Sequence, residues 1–222
     1  MGLQNITKKN VATGTPGDGD VVSEKGKLFI PKMQISKLKI TVEGITSLIV
    51  HRFSEKARKQ MLDKQMKKAK AGKDAKDPER DFREACYVKD GKHLFPVIAF
   101  KAAAVTACTS VDGIKKTEAR QAFHVSGFGR NDDFVEIIGP EPKMREDVVK
   151  IAMGTTDLRF RPEYMPWSAE ILVRYNVNTL SPEQIINLFN TAGFGVGVGE
   201  WRPERDGAFG QFSVKAFEDV GA

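Results

Sequence analysis

Between Ser181 and Phe212 the sequence passes from a helix start, through glycines at alternate positions, to a closing strand. That order constrains the chain more than any other feature. Ser181-Pro182-Glu183 supplies a capping hydroxyl and a proline at the first helical position. Ile185, Ile186, Leu188 and Phe189 make one apolar face, and Gly193 ends the helix. Gly195, Gly197 and Gly199 follow, and Gly210 to Phe217 reads as a strand. A dinucleotide or phosphate loop needs the opposite order, strand then glycines then helix, so that a helix N-terminus meets the phosphate. No G-K-[ST] ending is present either, so nucleotide cofactors are excluded and no cofactor is expected. Two roles remain. Glycines let a backbone lie against a ligand without a Cβ in the way, with Arg202 and Arg205 placed for phosphates and Trp201 for stacking. Alternatively, the segment is a tight connection packed on the core.

The rest of the chain alternates strands and helices. Residues 1–26 are rich in Gly, Thr, Asp, Asn and Lys without periodicity and are expected to form a disordered tail. Met33 to Val42 alternates as a strand, and Leu48-Ile49-Val50 leads to His51. Ser54 caps a helix in which Ala57, Met61, Leu62, Met66 and Ala69 share one face and Lys56, Lys59, Lys67 and Lys70 another, with Gly72 and Pro78 as its bounds. A short helix is expected from Glu79 to Cys86. Asp90-Gly91 predicts a hairpin within Tyr87 to Pro96. An alanine-rich buried helix is expected from Val97 to Thr109, and strands at Phe134 to Ile138, Asp157 to Arg161 and Ala169 to Tyr175. The expected fold is α+β: a single domain over 27–222 with a ferredoxin-like (RRM-like) βαββαβ core in which the helix after Ser54 is the first helix, a central insertion at about 88–156 and the Gly-rich loop before the last strand.

Charge is concentrated in one place. The whole chain carries +6, yet Arg52 to Lys73 holds nine basic and two acidic residues, a local +7 that leaves the remainder near −1. Arg52, Lys56, Lys59, Lys64, Lys67 and Lys70 form a candidate phosphate-binding set. Lysines of this kind neutralise phosphates without reading bases. A solvated helix face is the plainer account, but two acids are too few to pair these cations along the helix. A membrane-surface role fits poorly, because the apolar side is Ala and Met without interfacial anchors. Phe128 and Arg130 flank a loop glycine and are candidates for base stacking and backbone contact.

The Ile/Leu-rich helix, G-x-G-x-x-R (Gly197, Gly199, Arg202) and Gly207-x-Phe209-Gly210-x-Phe212 together resemble the signature loop of the RAMP superfamily. These are the ferredoxin-like RNA-binding and RNA-processing subunits of CRISPR systems. The resemblance spans about the last 55 residues, from Trp167 onward, and is most similar to the backbone subunits that polymerise along guide RNA. The basic helix and tail also look like small bacteriophage proteins of this build. The resemblance implies a single-stranded nucleic acid, DNA or RNA, as partner, contacts from the loop at Gly195 to Arg205, and a homo-oligomer or filament. Glu200, Glu204 and Asp206 make this loop less basic than its counterparts.

Catalysis has one candidate. His51 follows an early strand, and related RNA-processing enzymes use an early His as general acid or base, so an endoribonuclease is the alternative reading. A third is an adaptor whose basic helix docks an acidic partner. His93 and His124 lack metal-ligand spacing, no nucleophilic triad can be read from spacing, and no metal is expected. Cys86 and Cys108 are too few for a disulfide framework and read as buried thiols. The N-terminus lacks an apolar signal region, and no apolar run reaches the roughly 18 residues of a membrane span. A cytoplasmic, non-catalytic protein of a bacterium or a phage-infected cell is the expectation.

Overall fold

A computed structural model describes residues 30–68, 75–127, 133–152 and 154–221, without the side chains of residues 56, 151 and 152. The chain divides into two units, Met1–Gln34 and Ile35–Ala222, and the second holds every helix and strand described below. The expected tail at 1–26 lies outside the described residues.

In chain order the elements are β1 (Ile35–Gly44), β2 (Leu48–Ile49), α1 (Glu55–Gln65), α2 (Pro78–Ala85), β3 (Tyr87–Lys89), β4 (Lys92–Pro96), α3 (Ile98–Ala107), α4 (Lys116–Ala122), β5 (Phe123–Ser126), β6 (Phe134–Glu136), β7 (Lys143–Ala152), β8 (Thr155–Tyr164), β9 (Ser168–Asn176), α5 (Pro182–Gly195) and β10 (Phe212–Gly221). Period-two alternation builds the main sheet. Leu38, Ile40 and Val42 of β1 are fully buried, as are Ala169, Ile171 and Val173 of β9. Burying each of the larger aliphatic side chains contributes about 1.5–3 kcal/mol. Ile40 lies opposite Ile171, with β10 on the far side of β1 and β5 on the far side of β9. The order is β10-β1-β9-β5, antiparallel throughout.

Helix α3 lies between β1 and β5 in the chain, and α5 between β9 and β10. Two βαβ units are therefore split, each by a strand of the other, which is the ferredoxin-like arrangement. The two helices cover one face. Phe100 of α3 meets Phe212 edge-on at 5.4 Å between ring centres, and Phe189 of α5 meets Phe123 at 6.1 Å. Ser181 starts α5 with a capping box, its hydroxyl accepting from the Gln184 amide while Gln184 accepts from the Ser181 amide.

One expectation is corrected here. The basic helix α1 is not the first helix of the core; α3 is. The alanines of α3 leave Phe100, Ala103, Ala104 and Ala107 buried on the sheet, whereas α1 offers no buried residue among its described side chains. The segment 88–156 is consequently not wholly an insertion, since α3 and β5 within it are core elements. The excursions are β2 to β4, which precede α3, and β6 to β8, which follow β5. They build two further three-stranded sheets, β2-β8-β7 and β3-β4-β6. The Asp90-Gly91 turn joins β3 to β4 with φ of 52° and 73°, as a two-residue hairpin demands.

Candidate nucleic-acid interface

Helix α1 begins where Ser54 Oγ accepts a hydrogen bond from the Ala57 amide at 3.2 Å. It ends at Gln65, because Lys67 adopts a left-handed φ of 54°. The helix is thus shorter than the lysine spacing suggested. Met61, Leu62 and Met66, which share one face by their spacing, are all more than half exposed. Lys59, Lys64 and Lys67 stand exposed and make no ion pair among the described residues, whereas Lys68 pairs with Asp63 at 3.2 Å. Lys56 lies in the helix with its side chain outside the description. Lys70, Phe128 and Arg130 lie outside the described residues altogether.

At its N-terminal end α1 borders a cleft of about 300 Å³, between α2 and β8, with His51, Arg52 and Phe53 among its lining residues. Arg52 is half-buried and its amide donates to the Ala85 carbonyl at 2.9 Å. Lys76 bridges to Asp157 at 2.8 Å, and Asp157 also meets Arg159 at 3.6 Å. Arg159 Nη1 lies 3.3 Å from His51 Nδ1. A guanidinium only donates, so Nδ1 accepts and the neutral ring keeps its proton on Nε2. Burial, then the charges of Arg161 and Arg159, push the His51 pKa down to about 4. The cleft thus sets a neutral imidazole beside two arginines.

Behind His51 lies a polar core that sequence patterning missed. Arg161 and Asp147 are each only 3 % exposed. Asp147 accepts from Arg145 Nε at 2.8 Å and from Arg161 Nη1 at 3.5 Å, and Glu200 approaches Arg161 at 3.8 Å. Arg161 Nε is buried without a hydrogen-bond partner among the described residues. The Trp201 ring lies under both guanidiniums, 5.3 Å from Arg145 and 5.5 Å from Arg161, and Phe209 is 4.7 Å from Arg145.

These contacts give the Gly-rich loop its place: it is fastened to the β7–β8 hairpin. Gly199, at φ 80°, brings the loop so close to β2 that a Cβ would meet the Ile49 carbonyl, and the Glu200 amide donates to that same oxygen at 2.9 Å. Gly197 is buried. Arg202 is engaged within the loop, donating to the Gly199 carbonyl at 3.1 Å and to Glu204 at 2.7 and 3.0 Å. Gly195 and Arg205 are exposed. Gly199 and Arg202 are thus engaged within the chain, while Arg205 stands exposed in the loop as Lys59, Lys64 and Lys67 do on α1.

No family model matches the sequence, and no curated protein matches it. Among the solved structures that match is a chain of the type III-B Cmr-beta complex bound to cognate target RNA, determined by cryo-electron microscopy. It is 9% identical, with a TM-score of 0.45; the match covers 84% of this chain and 61% of that one. The present chain thus spans about three-fifths of its length. Within the described residues no group of three or more His, Cys, Asp or Glu is arranged to hold a metal ion, and no helix is long and apolar enough to cross a membrane. Both cysteines are buried, and burial pushes both thiols up.

Proposed function

We propose that this is a non-catalytic, RAMP-like protein that coats single-stranded nucleic acid through phosphate contacts and assembles as a homo-oligomer along the strand. One observation carries the reading: Lys59, Lys64 and Lys67 project into solvent without carboxylate partners among the described residues, on a helix whose first turns border a cleft lined by Arg52, Arg80 and Arg159 together with Asp81, Glu84 and Asp157. Exposed cations that no carboxylate pairs suit a polyanion. The split βαβ sheet supports it, being the architecture that the loop resemblance implies. Self-association has a structural opening in β10, an edge strand whose residues from Lys215 to Gly221 are all exposed.

The endoribonuclease reading rests on His51 lining the cleft. A ring with its pKa near 4 is neutral at pH 7 and so is not a general acid there, and Nδ1, the nitrogen a general base would use, already accepts from Arg159. The test is charge reversal in the full chain. Lys59→Glu, Lys64→Glu and Lys67→Glu together abolish binding of a labelled single strand at low salt while the circular-dichroism spectrum is kept. Unchanged affinity overturns the assignment of α1.

A further inference from the structure

The face of the main sheet turned away from α3 and α5 carries a charge arrangement that strand pairing does not favour. Lys37 of β1 lies directly opposite Arg174 of β9, and Arg174 directly opposite His124 of β5. Three basic side chains thus form one row across three strands. Directly opposed residues have Cβ atoms about 4.5–5.5 Å apart, and like charges at that separation destabilise a sheet. Neither Lys37 nor Arg174 makes an ion pair among the described residues. The neighbouring row shows what the sheet does elsewhere. Lys39 lies opposite Glu218 and forms a salt bridge with Glu170 at 3.0 Å.

His124 extends the row as a donor. Lys101 of α3 reaches its Nδ1 at 3.3 Å, and an ammonium only donates, so the neutral ring holds its proton on Nε2. Burial, followed by the charges of Lys101 and Arg174, holds the His124 pKa below its ordinary value. Lys37, Arg174 and His124 therefore lie along one end of the sheet, while Lys101, from the helix side, is engaged by His124 Nδ1 and by the Arg120 carbonyl at 3.2 Å. That end is remote from α1: Lys37 stands about 24 Å along β1 from Gly44, where the chain leaves for β2 and α1.

The geometry points to a phosphate-binding row, Lys37–Arg174–His124, that holds backbone phosphates of a nucleic-acid strand on the open sheet face. The like-charge opposition is the cost of that site, and an anion relieves it. The inference rests on the nucleic-acid reading above and adds a second contact surface to it.

Fluorescence anisotropy over a salt series tests it, with the full chain and a labelled oligo-U of about 20 nucleotides. Each lost phosphate contact on a single strand lowers the salt slope by about 0.7. Lys37→Thr with Arg174→Thr is expected to lower the slope by about 1.4 and to weaken low-salt affinity about 10-fold, with a melting temperature equal to or above that of the natural sequence. Lys37→Gln with Arg174→Gln gives the same result if the threonine pair folds poorly. An unchanged slope and affinity in either folded variant overturns the row while leaving the function standing. Absence of salt-dependent binding by the unaltered chain overturns both.

Discussion

The guanidinium of Arg145 lies 5.3 Å from the centre of the Trp201 ring, joining the β7–β8 hairpin to the Gly-rich loop. Arg145 also donates to Asp147, so one side chain connects a buried carboxylate to an aromatic surface. The loop is thereby held by electrostatics and ring contact as well as by its own backbone hydrogen bonds.

That connection is measurable by a double-mutant cycle. Arg145→Met and Trp201→Leu, singly and together, are expected to show a coupling of about 0.5–2 kcal/mol in urea unfolding. A coupling near zero places the loop's stability in its backbone contacts alone.

Asp147 compensates two guanidiniums, one of them buried. Asp147→Leu leaves Arg161 with Glu200 at 3.8 Å as its remaining carboxylate, and the expected destabilisation is about 3–5 kcal/mol. Combining it with Arg161→Met is expected to restore much of that loss, since a hydrophobic replacement of the whole pair removes the uncompensated charge. Chemical denaturation of the single and double variants distinguishes these outcomes.

His51 makes stability depend on pH. Its folded pKa of about 4 lies below the ordinary imidazole value of 6.5, so the unfolded chain binds more protons between those values. Its contribution is fully present above about pH 6.5 and is lost as pH falls toward 4. His51→Gln is expected to flatten the stability profile across that window relative to the natural sequence. Parallel profiles for the two proteins contradict the buried, neutral placement of the ring.

The main sheet was legible because its strands obey a period of two with apolar residues inward, as in Leu38, Ile40 and Val42. The cap at Ser181 and the turn at Asp90-Gly91 were readable for local reasons, since each needs particular side chains or a particular φ. Strand β7 was not readable. Its deeply buried position is Asp147, while Val148 and its opposite neighbour Leu158 are exposed, so hydrophobicity there runs out of phase with burial. Arg161 likewise carries a charge into a buried ionic cluster, which strand alternation does not signal. The apolar spacing of α1 is that of a packed face, but no described element covers Met61, Leu62 or Met66 enough to bury them. Chain position alone also favoured α1 as the first core helix, and only the packing of Phe100 and its neighbouring alanines against the sheet identifies α3 instead. The cationic row at Lys37, Arg174 and His124 requires strand register, which no single sequence displays.

The most direct test of the central claim is anisotropy of the unaltered chain with labelled single-stranded RNA, single-stranded DNA and duplex DNA at low and high salt, with the mass of the complexes read in parallel. The account predicts salt-sensitive binding to single strands over duplex, with mass growing in steps as the strand lengthens. Failure to bind any of the three at low salt contradicts it, and leaves the basic helix as a surface for an acidic protein partner.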